Sequence, residues 1–85
     1  MKLAIYALRD GKTASFGNSM CLTNDGHAIR SVSDEVNNGR DGNNMLNKHP
    51  EDFELFHLGF FETDSGLYDT GTPRSVVQCS ELVRK

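Results

Sequence analysis

Asp25-Gly26-His27-Ala28-Ile29-Arg30-Ser31-Val32-Ser33-Asp34-Glu35-Val36-Asn37-Asn38 is the stretch whose reading decides the fold. Ala28, Ile29, Val32 and Val36 recur at helical spacing and form one apolar stripe, while His27, Arg30, Ser31, Asp34 and Glu35 fall on the remaining surface. Thr23, Asn24 and Asp25 offer side-chain oxygens to the unpaired amides of a helix start, and Asp25 suits the positive end of the helix dipole. Arg30 and Asp34 have the spacing of a favourable ion pair along one helix face. Asn37-Asn38-Gly39 predicts a left-handed cap at the other end.

Strands are expected on both sides of this helix. Lys2 to Leu8 is apolar on both alternating faces, which predicts a central or well-covered strand. Arg9-Asp10-Gly11-Lys12 supplies a turn, with Asp and Gly tolerating left-handed backbone. A weaker strand is expected over Ser15 to Leu22, interrupted by Gly17, Asn18 and Ser19. Gly39 to Asn47 is rich in glycine, asparagine and aspartate and is expected to be a mobile loop. His49-Pro50-Glu51-Asp52 predicts a helical turn opening on proline, anchored by Phe53 and Phe56.

Leu55 to Glu62 then alternates as a strand, with Phe56, Leu58 and Phe60 on one face and Leu55, His57, Gly59 and Phe61 on the other. Asp64-Ser65-Gly66 is read as a hairpin turn and Leu67-Tyr68-Asp69 as the start of the return strand. Thr70-Gly71-Thr72-Pro73 predicts a break before a last strand, Ser75 to Val83, for which Cys79-Ser80 marks a point of interruption. The sum is one α+β domain over residues 1–85, a small antiparallel sheet with one main amphipathic helix packed on one face, in the order β-β-α-β-β-β.

Composition narrows the function. A chain of 85 residues buries a small core and has little stability to spend on strained catalytic geometry. The net charge of −3 works against bulk neutralisation of a DNA duplex, so any nucleic-acid contact has to be local. Cys21 and Cys79 form no CxxC pair and predict reduced thiols. Leu3 to Leu8 is too short for a signal peptide or a membrane span, so the chain is expected to stay in the compartment where it is made.

The same accounting leaves few chemical candidates. His27, His49 and His57 with the two cysteines show no ligand-pair spacing, so neither a metal nor another cofactor is expected. Asp34, Glu35, Glu51, Asp52 and Glu54 are better explained by a solvated helix face and a helix start than by acid–base work. Gly39-Arg40-Asp41-Gly42 lacks the lysine and the following helix of a phosphate loop. No enzyme is expected. For a single nucleic-acid strand the candidates are Tyr6, Phe16 and Tyr68 for stacking, beside Arg9, Lys12, Arg30, Arg40 and Lys48 for phosphate contact, with Arg84 and Lys85 at the end of the chain.

Three segments carry a resemblance: Ala28-Ile29-Arg30 with Ser33-Asp34-Glu35-Val36-Asn37-Asn38; His49-Pro50-Glu51-Asp52-Phe53-Glu54-Leu55-Phe56 with Leu58-Gly59; and Thr72-Pro73-Arg74-Ser75. In a chain opening Met1-Lys2-Leu3 with Ile5-Tyr6, they resemble the small nonstructural protein of gokushoviruses, single-stranded DNA phages of the Microviridae. Ser19-Met20-Cys21 departs from the family pattern, which often has proline and an aromatic residue there. The resemblance implies a non-enzymatic accessory protein of the host bacterial cytoplasm, counterpart of the microviral protein that switches replication to single-stranded synthesis and packaging. Its implied partners are phage DNA and the replication complex or procapsid proteins. The alternative is a protein-binding adaptor or host-modifying inhibitor with no direct nucleic-acid contact. An exposed strand edge would also permit a homodimer.

Overall fold

A computed structural model describes residues 1–84. Strand β1, Lys2–Asp10, lies at the centre of an antiparallel sheet, with β4 (Phe53–Glu62) along one side and β5 (Leu67–Gln78) beyond it. Its apolar residues on both faces explain the position: Ala4, Ile5, Tyr6 and Ala7 are all buried. On its other side β1 pairs with two short pieces placed end to end, β2 (Ser15–Phe16) at Arg9–Asp10 and β3 (Met20–Leu22) at Ala4–Tyr6. Gly17-Asn18-Ser19 does interrupt this edge, and the Gly17 amide still bonds the Leu8 carbonyl at 2.8 Å.

The turn after β1 differs from the expected one. The strand runs through Asp10, whose carboxylate accepts the Lys12 amide at 2.9 Å, and the left-handed residue is Ala14, at φ 55°. The short side-chain bond from Asp10 shapes the turn without asking Asp10 or Gly11 to adopt positive φ.

Helix α1, Asp25–Val36, packs on one sheet face through Ala28, Val32 and Val36, which form a buried cluster with Ala4, Tyr6, Leu55 and Cys79. Asn24 caps it by accepting the His27 amide at 2.9 Å. At the other end Asn37 sits at φ −96°, so the expected left-handed cap is not used. Side chains replace it. Asn37 Nδ2 donates to the Ser33 and Leu82 carbonyls, Asn44 Nδ2 to Glu35 and Asn38, and Asn47 Nδ2 to Val36. The Asn47 bond reaches the last carbonyl of the helix, at Val36, while Asn37 and Asn44 add second donors to Ser33 and Glu35, whose carbonyls already accept the Asn37 and Asn38 amides.

The loop expected over Gly39 to Asn47 runs only to Asn44, and Met45 to Asn47 are helical. Its asparagines reach back to α1, and Asn44 caps a single helical turn, α2, at Met45–Lys48. Asp34 also finds a different partner, Arg84 at 3.2 Å instead of Arg30, because the chain end is drawn alongside α1 by the Arg84 amide bond to Asn37 Oδ1. The proline-initiated turn at Pro50–Asp52 forms as a 3-10 turn, and Gly11 donates to its last carbonyl at 2.8 Å.

Two expectations for the last third are corrected. The predicted break at Thr70-Gly71-Thr72-Pro73 is a bulge inside one continuous strand, β5, where the register jumps from His57↔Arg74 to Gly59↔Thr70. Proline is tolerated there because the bulge and the outer edge ask for no ladder hydrogen bond from it. The strand predicted over Ser75 to Val83 stops at the interruption marked by Cys79-Ser80 and does not resume; Cys79–Leu82 forms a 3-10 turn that returns to the core. The order is therefore β1-β2-β3-α1-α2-β4-β5, with the predicted sheet and single main helix retained.

The strand predicted over Leu55 to Glu62 is present within β4, but its alternation of faces is broken once. Opposite Ile5 and Tyr6 the register skips Leu58, so Ala4↔Phe60, Tyr6↔His57 and Leu8↔Leu55 share the helix side, while Leu3↔Phe61 and Ala7↔Phe56 share the other. The cause is Gly59, at φ 151°, where β5 approaches so closely that a Cβ would meet Asp69 O and lie 2.7 Å from Thr70 Cα. Only glycine accepts both constraints. Gly59→Ala is expected to cost roughly 3 kcal/mol, read as a fall in the urea unfolding midpoint. An unchanged midpoint would show that β5 is free to move away.

Candidate nucleic-acid interface

The bulge sorts the aromatic side chains of β4 onto two faces. On the face away from α1, Phe56 meets Phe16 edge to face at 5.4 Å, and Phe61 lies beside Tyr68 at 4.8 Å. Phe56 is opposite Ala7 and Phe61 is opposite Leu3, so the two pairs stand four residues apart along β1, about 13 Å. Between them Ile5 and Ala7 are already sealed, at 3% and 1% exposure, whereas Phe16 is 43% and Tyr68 67% exposed. What this face offers to a partner is thus ring surface at its two ends. Helix α1, the α2 turn and the 3-10 turn at Cys79–Leu82 pack on the opposite cluster.

The candidate cations are distributed unevenly. Arg9 lies opposite Phe16 on the open face, and Arg9 and Lys12 line one cleft of about 260 Å³. Glu51, Asp52 and Glu54 line it too, so two cations face three carboxylates. Arg30 projects from α1, Arg40 from the following loop and Lys48 from α2; all three are exposed, and none lines the Arg9 cleft. The proposed phosphate-contact set is not one surface. Of the proposed stacking residues, Phe16 and Tyr68 are on the open face, but Tyr6 is fully buried under α1. Lys85 lies outside the described residues, and Arg84 is bonded to Asp34.

On the helix side a polar network joins elements that are far apart in the chain. The Tyr6 hydroxyl donates to Asp25 Oδ1 at 2.6 Å, and Arg74 Nη2 donates to both Asp25 oxygens at 3.2 and 3.1 Å. The bond from Tyr6, then the Arg74 guanidinium, holds the Asp25 carboxyl below its usual range against the opposing effect of burial. Burial first, then the bond to Asp25, pushes the Tyr6 phenol well above its ordinary value. Asp25, read from sequence as part of the helix start, therefore does a second job. Arg74 had no assigned role, although Thr72-Pro73-Arg74-Ser75 carries part of the family resemblance. Next to Arg74, Ser75 donates its hydroxyl to Glu54.

His49, Glu51 and Asp52 bring ligand-type atoms within 4.8 Å of one another, but all are explained by the turn they form and its contacts. Cys79 is buried in the core, where its thiol is raised to about 11, and Cys21 is exposed on the open-face edge. No helix among the described residues is long and apolar enough to cross a membrane.

The family described as Phage ORF5 protein matches residues 3–82 of the chain. Protein ORF5 of Chlamydia phage 1 is 31% identical over 70 residues, covering 80% of this chain and 72% of that protein. No solved structure matches.

The network sets two expectations. Tyr6→Phe should cost about 1–2 kcal/mol, seen in urea unfolding, because the Asp25 carboxylate loses a hydrogen bond at a part-buried site. Since the folded Asp25 pKa is depressed, its stabilisation is present above about pH 4 and is lost as pH falls through the lowered folded value. Asp25→Asn should therefore lower stability at neutral pH and flatten its loss in acid; an acid profile identical to that of the parent chain would contradict the network.

Proposed function

The chain belongs to the Phage ORF5 protein family, the gokushovirus group its sequence resembles, and from this we propose a non-enzymatic accessory role in single-stranded DNA replication and genome packaging. In this reading the protein works in the host bacterial cytoplasm, touching viral single strands and the replication complex or procapsid proteins. The observation that carries it is the open sheet face with two separated aromatic pairs. Bases stack on ring faces at roughly 1–3 kcal/mol each without requiring a basic protein, which reconciles single-strand contact with a net charge of −3. The span of about 13 Å between the pairs falls within the reach of single-strand sites of ~4–16 nucleotides.

The carboxylates around Arg9 and Lys12 favour a second reading, an adaptor that docks on replication or host proteins without touching DNA. The two readings differ in salt dependence. A labelled oligothymidylate at low salt should bind weakly, with affinity falling along a log–log slope of about −1 to −2 as salt rises. Phe16→Ala with Tyr68→Ala should weaken binding about ten-fold with little change in thermal midpoint. Arg9→Ala with Lys12→Ala should make the slope shallower. Absence of binding at low salt, or binding indifferent to salt and to the aromatic pair, would reject strand contact and leave the adaptor.

A further inference from the structure

The helix side carries a groove that the open face does not use. Two hollows of about 570 and 350 Å³ share His57, Phe60 and Arg74, so they run together from the start of α1 to the bulge of β5. Such dimensions suit a small ligand. Phe60, 40% exposed, lines both hollows and meets His57 edge to face at 5.0 Å. The register places a cation on either side of it along the strand. Lys2 lies toward the hairpin end, its Nζ 5.7 Å from the Phe60 ring centroid, and Arg74 lies opposite His57.

Arg74 is pre-set for recognition. Its bonds to Asp25 use Nη2 alone, and Asp25 is itself fixed by Tyr6, so the guanidinium is oriented while its remaining N–H groups stay available. Orientation in advance reduces the entropy lost when an anion binds. Each hollow has one carboxylate in its wall, Asp25 in the larger and Asp69 in the smaller, and it is Asp25 whose charge is matched by Arg74, which makes the larger hollow the place for a phosphate.

We propose that this groove binds one nucleotide unit, its base against Phe60 and His57 and its phosphate on the free N–H groups of Arg74, with Lys2 adding positive charge from beyond the Phe60 ring. A bare anion would make no use of the aromatic wall, and an apolar peptide would make no use of the two cations. The site is separate from the open face and rests on the single-strand reading only for the natural source of the nucleotide.

The test is titration of the isotope-labelled protein with thymidine monophosphate, with inorganic phosphate and thymidine as separate probes. Thymidine monophosphate should shift the Phe60 and His57 ring signals and the Arg74 side chain together. Phe60→Leu and Arg74→Gln should each weaken this binding about ten-fold. Lys2→Gln, which removes an exposed charge remote from the Asp25 network, should weaken it without lowering the thermal midpoint. Phe16→Ala with Tyr68→Ala should leave it unchanged. Equal shifts from inorganic phosphate alone, a preferred phosphopeptide, or no shift at these residues would overturn the site. Nucleotide binding here, with no oligothymidylate contact on the open face, would retain the groove and reject the strand reading independently.

Discussion

The close approach of β5 to β4 at Gly59 is the constraint on which the rest of the molecule depends. A side chain there would run into Asp69 and Thr70, and the backbone is held at φ 151°. The one-residue slip beside it turns Phe60 toward His57 and Tyr6 and sends Phe61 to the other face, beside Tyr68. Had β4 alternated regularly, Phe60 would lie with Phe56, and Phe61 with Leu55 and His57. Each of the two faces owes its aromatic pattern to that slip.

Side-chain amides hold the remainder in place. The C-terminal carbonyls of α1 are taken by Asn37, Asn44 and Asn47, and through Asn37 the last turn of the chain is tied to the same helix. A small core of Ala28, Val32, Val36, Tyr6 and Leu55 gives limited hydrophobic stabilisation, so satisfied polar ends matter more than they would in a larger domain. The Tyr6–Asp25–Arg74 network does the same at the other end of α1, tying β1, the helix start and β5 together.

The helix and the central strand were legible because their signals are local: an apolar stripe at helical spacing and a run apolar on both faces. The slip at Leu58-Gly59 was not, since its cause lies ten residues away in β5, at Asp69. The asparagine-rich stretch after α1 reads as loop by composition, and only the proximity of helix carbonyls makes its amides structural. Among the stacking candidates, Phe16 and Tyr68 are exposed and Tyr6 is buried, a difference hidden from the sequence because a tyrosine in a strand gives no sign of which face a helix will cover. Arg9 and Lys12 line one cleft, in acidic company that their own segment does not reveal. Arg74 meets Asp25 across 49 positions, beyond any spacing rule.

These features describe a member of the Phage ORF5 protein family with a sheet whose two faces differ, one packed in part by a helix and one presenting paired rings. The most direct measurement is an aromatic chemical-shift map of the ring-labelled protein with and without a short single-stranded DNA. The account predicts that the rings of Phe16, Phe56, Phe61 and Tyr68 shift together, while the polar face of α1 around Arg30 stays still. Shifts confined to α1, or an open face unmoved at saturating DNA, would contradict it.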